Sequence, residues 1–368
     1  MAAVDGTGDR LAAAAAPEHM LHALRLARRG LYTTTPNPRV GCVLVRDGRV
    51  VGSAWHVRAG EPHAEALALA AAGTAARGAD CYVTLEPCAH HGRTPPCADA
   101  LIRAGVRRVF ASMADPNPRV AGAGLARLRA AGIEVHLGQY AAAAWELNRG
   151  FCTRHERGRP WFRLKVASSA DGRVGIKGGN NRWITGSAAR RDVHRLRAQS
   201  CAVLTASGTV LADDPELTVR HVKTPRQPTR VVLDRRASVP ASARIFSAAA
   251  PLLLVHAEAL EGRQSGIPSC FLPVAEDGID LAALARELAR REFNEVLVEA
   301  GPRINAAFVA SGLVDEIVLY LAPSLLGADA LASFALHGLA DVNAAPRFNL
   351  HEVRRVGEDL RLGFRQRP

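Results

Sequence analysis

Between residues 18 and 140 the apolar positions switch repeatedly between a helical and a strand rhythm. His19 to Arg29 repeats apolar residues at helical spacing. Arg39 to Val45 and Val50 to Ala54 read as two strands of a hairpin around the turn dipeptide Asp47-Gly48. Ala64 to Ala76, an Ala/Leu run, predicts a helix, and Cys81 to Leu85 a short strand. Ala98 to Ala104 and Gly122 to Ala131 predict further helices, each followed by a strand, Val106 to Ala111 and Ile133 to Leu137. Strands alternating with helices imply a largely parallel sheet covered on both faces, a three-layer α/β/α arrangement.

Asn148 to Pro160 breaks this rhythm. It is charged, contains Gly150, Gly158 and Pro160, and predicts a linker. A second α/β series follows, with strands near Phe162–Ala167, Ala202–Thr205, Arg230–Leu233, Pro251–Val255, Glu295–Glu299 and Glu316–Leu321. Helices are expected at Leu281–Arg291 and Ile304–Ser311, and Phe348–Val356 with Asp359–Arg365 reads as a closing antiparallel pair around Gly357. The chain of 368 residues thus divides into a disordered tail (1–16), a first domain (17–147), a linker (148–160) and a second domain (161–368).

Composition narrows the class. Hydrophobic residues make up 48% and charged residues 22%, an ordinary globular balance, and no apolar run reaches the roughly 18 residues of a membrane span. The Ala-rich stretch Leu11 to Ala16 is short and preceded by Asp5 and Asp9, unlike a signal peptide. Seven cysteines without a framework spacing argue for a reducing, cytoplasmic setting and for metal use; Cys42, Cys81, Cys152, Cys201 and Cys270 read as incidental thiols. The net charge of +12 is spread along the chain with no block of five or six like charges. A diffuse field of this kind suits phosphorylated small molecules better than nucleic acid. Only three lysines (Lys165, Lys177, Lys223) stand against 44 arginines, which singles out each lysine.

The chemistry concentrates in His63-Ala64-Glu65, Pro87-Cys88 and Cys97. One imidazole and two thiols can hold zinc with a position left for water, the arrangement of a catalytic site. His63 sits where the Ala/Leu helix begins, and Cys97 follows Pro95-Pro96, a helix-start signal. Thiols near helix N-termini favour the thiolate, which is the form that binds metal. Glu65 is left over to move protons between the water, a ring nitrogen and departing ammonia. The H-x-E…P-C pattern is that of zinc-dependent nucleobase deaminases. The bland alternatives are a structural zinc site or no metal. Eight residues separate Cys88 from Cys97, where nucleic-acid-editing deaminases have two. This longer loop carries His90, His91, Arg93 and Thr94, and Arg93 suits a phosphate.

Leu85-Glu-Pro-Cys-Ala-His-His-Gly-Arg-Thr-Pro-Pro-Cys97, with Pro36-Asn-Pro-Arg-Val-Gly41 and Pro62-His-Ala-Glu65, resembles the bifunctional deaminase/reductase family of riboflavin biosynthesis. Leu164-Lys-Val-Ala-Ser-Ser-Ala-Asp-Gly-Arg173, Trp183-Ile-Thr-Gly186, Asp192 to Arg197, Gly208 to Pro215, Val298-Glu-Ala-Gly301 and Gly312 to Ile317 are similar to that family's reductase half. The resemblance runs from about residue 18 to 365. It implies a cytidine-deaminase-like N-terminal domain and a dihydrofolate-reductase-like C-terminal domain. The first would deaminate a phosphoribosylated diaminopyrimidinone with zinc, and the second would reduce the ribosyl group to a ribityl chain with NADPH. It further implies a homo-oligomer, dimer or tetramer, without nucleic-acid or membrane partners.

The same resemblance places Asn37, His56 and Arg93 on the deaminase substrate. It places Ala167, Trp183, Thr209, Asp213 and the loop Gly301, Pro302, Arg303, Ile304, Asn305, Ala306 and Ala307 on NADPH. Asn181, Arg197, Leu217, Arg220 and Glu299 would hold the reductase substrate, Arg197 and Arg220 as phosphate partners. Lys165, retained where arginine is otherwise favoured, would donate a proton to the opened sugar. Arg235 after Asp234, Arg303, Asn305 and Ala170 depart from the family's usual residues. Two other readings are a deaminase acting on nucleic acid or free bases with a degraded second half, and a deaminase-fold binding module that needs no zinc.

Overall fold

The computed structural model describes residues 16–90, 95–179, 183–247, 249–257, 266–275 and 278–367. The chain divides after Arg157 into two compact units.

The first unit runs α1 (Pro17–Ala27), β1 (Gly41–Arg46), β2 (Arg49–Trp55), α2 (Ala64–Ala72), β3 (Asp80–Val83), α3 (Cys97–Ala104), β4 (Arg108–Ala111), α4 (Ala123–Ala130), β5 (Glu134–Leu137) and α5 (Ala141–Arg157). Its sheet has the order β2-β1-β3-β4-β5. β3, β4 and β5 are parallel, whereas β1 pairs antiparallel with both β2 and β3, so the sheet is mixed rather than largely parallel. Alternation along β1 builds the layers. Cys42 and Leu44 pack with Ala64 and Ala68 of α2, Leu101 of α3 and Leu128 of α4. Val43 and Val45 face the other way, onto Met20, Ala23 and Leu26 of α1. Gly52 permits the close seat of α2, since a Cβ there would lie 2.3 Å from the Ala68 carbonyl oxygen.

Positions 148–157, expected as a linker, are helical and belong to α5. Phe151 and Cys152 enter the core beneath the sheet, and Gly150 is buried, so the glycine marks close packing rather than a break. Asn148 is the one non-helical residue inside α5 (φ −112°, ψ 16°).

The second unit runs β6 (Trp161–Ser169), β7 (Arg173–Ile176), α6 (Ser187–Gln199), β8 (Ala202–Ala206), α7 (Ser207–Asp213), β9 (Thr229–Leu233), α8 (Arg244–Ser247), β10 (Leu252–His256) and β11 (Ser269–Phe271). It continues through β12 (Val274–Ala275), β13 (Gly278–Ile279), α9 (Leu281–Arg290), β14 (Glu295–Val298), α10 (Pro302–Ala310), β15 (Val314–Ala322), β16 (Ala330–Ala332), β17 (Phe348–Val356) and β18 (Asp359–Gln366). The main sheet has the order β11-β10-β9-β8-β14-β6-β15-β18-β17. It is parallel from β11 to β15, and the closing hairpin β17–β18 adds antiparallel to β15. Val296 and Val298 pack with Leu284, Leu288 and Phe308 on one face, and Leu297 with Leu196 and Val210 on the other. The apolar pattern did not predict α6, because its buried face includes Asp192 and His194 among Ala189, Leu196 and Ala198. Among the described residues no helix is long and apolar enough to cross a membrane.

Candidate active sites

The first site gathers at the ends of two helices. His63 is the N-cap of α2, and Glu65 lies in its first turn. Cys97 opens α3 after Pro96, and Cys88 lies in the loop beyond β3. The N-terminus of α3 holds Cys88: the Cys97 backbone N–H donates to Cys88 Sγ at 3.3 Å, and the Ala98 N–H to the Cys88 carbonyl at 3.1 Å. His63 Nδ1 stands 3.3 Å from Cys97 Sγ and 3.7 Å from Cys88 Sγ, and the three ligand atoms lie within 4.8 Å of one another. Tetrahedral zinc with bonds of about 2.3 Å to sulfur and about 2.0 Å to nitrogen requires N···S separations of about 3.5 Å. The two observed distances bracket that value.

The charge state fits as well. The Cys97 thiol and the His63 ring hold the Cys88 thiol down to about 4, while the Cys88 charge and burial push Cys97 well up. Without a cation only one of the pair ionises; a metal ion between them would bring Cys97 to the thiolate as well, and this donor set suits zinc. Glu65 is buried beside the three ligands, and burial pushes its carboxyl up to about 7.

Asn37 and His56 reach the same place. His56 Nδ1 donates to the Pro62 carbonyl at 3.2 Å, which leaves Nε2 to accept the Asn37 amide at 3.0 Å. Burial lowers the His56 pKa and keeps that ring neutral. The His56 and His63 rings meet edge to face at 5.3 Å. Arg93 and His91 lie outside the described residues.

Glu86, inside the motif Leu85 to Cys97, has a role that the motif itself does not show. Its buried carboxylate accepts four backbone N–H groups, from Asp115 and Gly122 on Oε2 and from Gly124 and Leu125 on Oε1, at 2.9–3.3 Å. It therefore caps α4 and fastens that helix to the loop carrying Pro87 and Cys88. A carboxylate directly before Pro-Cys was the available signal; its partners are far off in sequence.

The second site centres on Glu299, just past β14. Arg197 of α6 reaches Oε1 through Nε at 2.6 Å and Oε2 through Nη2 at 3.0 Å, and it also donates to the Thr218 carbonyl at 3.0 Å. Lys165 on β6 places Nζ 3.1 Å from Oε2. Burial alone would raise the Glu299 pKa, but Arg197 and Lys165 outweigh it and hold the group well below the usual carboxylate range. Burial raises Asp213, at the end of α7, against the pull of Lys165. Arg220 pairs with Glu216 at 2.7 Å, and its backbone N–H donates to His194 Nδ1 at 3.1 Å. Leu217 is held at φ +54° with its side chain in the core.

Gly301 caps α10, whose first residue is Pro302, and a Cβ on Gly301 would lie 3.9 Å from Thr209 Oγ1. Arg303 is exposed, whereas Asn305 and Ala306 are buried, and Asn305 Nδ2 donates to the Ser333 carbonyl at 3.1 Å. Ile304 packs against the core, Ala307 is half-buried, and Ala167 packs on the opposite face of the sheet. Trp183 is 69% exposed, its ring stacked under the Arg190 guanidinium at 4.3 Å. Asn181 lies outside the described residues.

Fold and sites define a two-domain enzyme: a zinc-binding deaminase unit followed by an α/β reductase unit. The sequence matches the cytidine and deoxycytidylate deaminase zinc-binding region over residues 15–113 and the RibD C-terminal domain over residues 160–362. It is 48% identical over 358 residues to the riboflavin biosynthesis protein RibD of Escherichia coli (strain K12), covering 94% of this chain and 97% of that protein. A solved structure of Acinetobacter baumannii RibD superposes with a TM-score of 0.89 at 43% identity, covering 96% of this chain and 99% of that one. A diaminohydroxyphosphoribosylaminopyrimidine deaminase/5-amino-6-(5-phosphoribosylamino)uracil reductase from Thermotoga maritima gives 0.86 at 34% identity, covering 95% and 98%. The chain belongs to the RibD family, the bifunctional deaminase/reductases of riboflavin biosynthesis. It acts on a small pyrimidine and uses zinc and NADPH, and the nucleic-acid deaminase with a degraded second half is not favoured.

Proposed function

We propose that His63 Nδ1, Cys88 Sγ and Cys97 Sγ hold the zinc, and that Glu65 is the proton carrier of the deamination. Zinc, when bound, lowers the pKa of a coordinated water to about 7 and so supplies hydroxide at neutral pH. Glu65 is placed to carry the water's two protons in turn, the first to the ring nitrogen and the second to the leaving ammonia. The separations of the three ligand atoms, with a buried carboxylate beside them, carry this reading. Asn37 and His56 hold the pyrimidine, and Arg93 takes the phosphate of a phosphoribosylated diaminopyrimidinone.

In the second unit NADPH supplies the hydride when bound. Thr209, Asp213, Trp183, Ala167 and the segment Gly301 to Ala307, the start of α10 rather than a loop, form its cradle, where the α10 N-terminus suits a phosphate. Lys165 donates the proton that the opened ribosyl group needs as it becomes ribityl. Glu299 fixes Lys165 and Arg197 for that task, and Asn181, Leu217 and Arg220 complete the substrate pocket. The deaminase half spans residues 17–157 rather than ending at 147, and the reductase half begins near residue 161. We place the enzyme in the cytoplasm without nucleic-acid partners, which its thiols and dispersed charge support, and read it as a homo-oligomer.

Glu65→Ala tests the assignment. Ammonia release should fall by at least about 10²-fold, the low end of a general acid–base contribution. Zinc content should stay at one per chain, and NADPH oxidation with pre-deaminated substrate should be unchanged. Retained ammonia release would contradict the role given to Glu65.

A further inference from the structure

Asn148 lies in the stretch whose composition marks a linker, yet it is 2% exposed. A buried amide is costly unless both of its ends are paired. Here both are paired, to a residue 109 positions away. Asn148 Oδ1 accepts the Arg39 backbone N–H at 2.7 Å, and Nδ2 donates to the Arg39 carbonyl at 3.0 Å. Nδ2 also reaches the Ala144 carbonyl, one turn earlier, at 3.3 Å. The Arg39 guanidinium returns a bond to the Leu147 carbonyl at 2.6 Å. The break at Asn148 explains why these groups are available: an interrupted helix leaves carbonyls of the preceding turn without their usual N–H partners. A side chain that engages the donor and the acceptor of one residue fixes its orientation as well as its position, as a neighbouring strand does.

Arg39 is two residues beyond Asn37. The next residue, Val40, accepts the His56 backbone N–H at 2.9 Å, and the Asn37 side chain meets the His56 ring. The loop bearing Asn37 is therefore tied to β1 at Gly41 on one side and to α5 on the other. Among the described residues, none of Asn148's hydrogen-bond partners is His63, Glu65, Cys88 or Cys97.

We infer that Asn148 is a positioning residue for deamination: it clamps Arg39 and so sets Asn37 for the pyrimidine. This rests on the reading that Asn37 contacts the pyrimidine. In the full-length zinc enzyme, Asn148→Ala removes both ends of the clamp. Asn148→Asp keeps the acceptor and the size but loses the donor. Both should lower kcat/KM for deamination by about 10- to 100-fold, mainly through KM, as small misplacements of a binding group do. Zinc should remain at one per chain, and the backbone amides of Asn37, Arg39 and Val40 should exchange hydrogen faster. The double variant Asn37→Ala/Asn148→Ala should be no worse than Asn37→Ala, because the clamp acts through that side chain.

If Asn37→Ala raises KM while both Asn148 variants keep zinc and leave KM and exchange unchanged, the clamp is overturned and the substrate reading stands. If Asn37→Ala leaves KM unchanged, the substrate reading fails and the positioning role fails with it. Should Asn148→Ala alone lose zinc, Asn148→Asp decides in its place. Loss of zinc in both variants makes Asn148 a purely structural residue and overturns the inference.

Discussion

Lys165 and Arg197 share the Glu299 carboxylate, but unequally. Arg197 makes two bonds to it and a third to the Thr218 carbonyl, while Lys165 makes one. A buried carboxylate left without a cation is strongly destabilising. Removing Lys165 leaves Glu299 with its fork-shaped partner still in place. Lys165→Met, similar in length and uncharged, should therefore fold and bind NADPH. Its hydride transfer to the deaminated substrate should fall by at least about 10²-fold, since the proposed proton donor is gone. Ammonia release by the first unit should not change. NADPH oxidation in a single-turnover mix, alongside NADPH binding by fluorescence, separates loss of the proton donor from loss of the cofactor. A variant that retains its rate would reduce Lys165 to a partner of Glu299.

The unit that positions Cys88 is an element rather than a residue. Glu86 caps α4, and α4 approaches so closely that a Cβ on Gly124 would stand 1.8 Å from the Pro87 carbonyl oxygen. The clash is with backbone, so either α4 or the ligand loop must move. Gly124→Ala should weaken zinc binding by about 10-fold or more, the usual scale for disturbing the support of a metal ligand. Competition with a chromophoric chelator measures this directly, and unchanged zinc retention would separate α4 from the metal centre. These contacts also show where sequence reading stops. His63 at the start of the Ala/Leu helix and Cys97 after Pro95-Pro96 were legible because an Ala/Leu run and a proline signal are local. The strand over residues 348–356 was legible for the same reason. The four amides on Glu86 come from 29 to 39 residues away, and Asn148 meets Arg39 across 109. No periodicity encodes such polar pairings, so Glu86 had no assigned role and Asn148 fell in an expected linker. The helix α6 escaped because Asp192 and His194 occupy its buried face and blur the apolar stripe.

At the scale of the molecule, the reductase unit carries a group that makes its answer to acid measurable. Burial, with Arg197, Arg220 and His221 nearby, holds the His194 imidazole down to about 4 against the opposing pull of Glu299. Its Nδ1 must be unprotonated to accept the Arg220 N–H. In the unfolded chain the same ring titrates near about 6.5. Between these values the unfolded state binds a proton that the folded state refuses, so stability is complete above pH ~6.5 and declines as the pH falls toward 4. Asp213, raised by burial, binds its proton earlier in the folded state and offsets part of the loss at the lower end. The reductase transition should therefore move to lower temperature as the pH drops from about 7 to about 5, and NADPH, which stabilises only the unit that binds it, identifies that transition. His194→Gln keeps an acceptor for Arg220 and removes the titration, so its transition should be flatter over the same range. The first unit has its own core and its own candidate metal site, so its transition should be indifferent to this substitution. A pH slope that persists unchanged in His194→Gln would mean that another group of the second unit sets its acid limit.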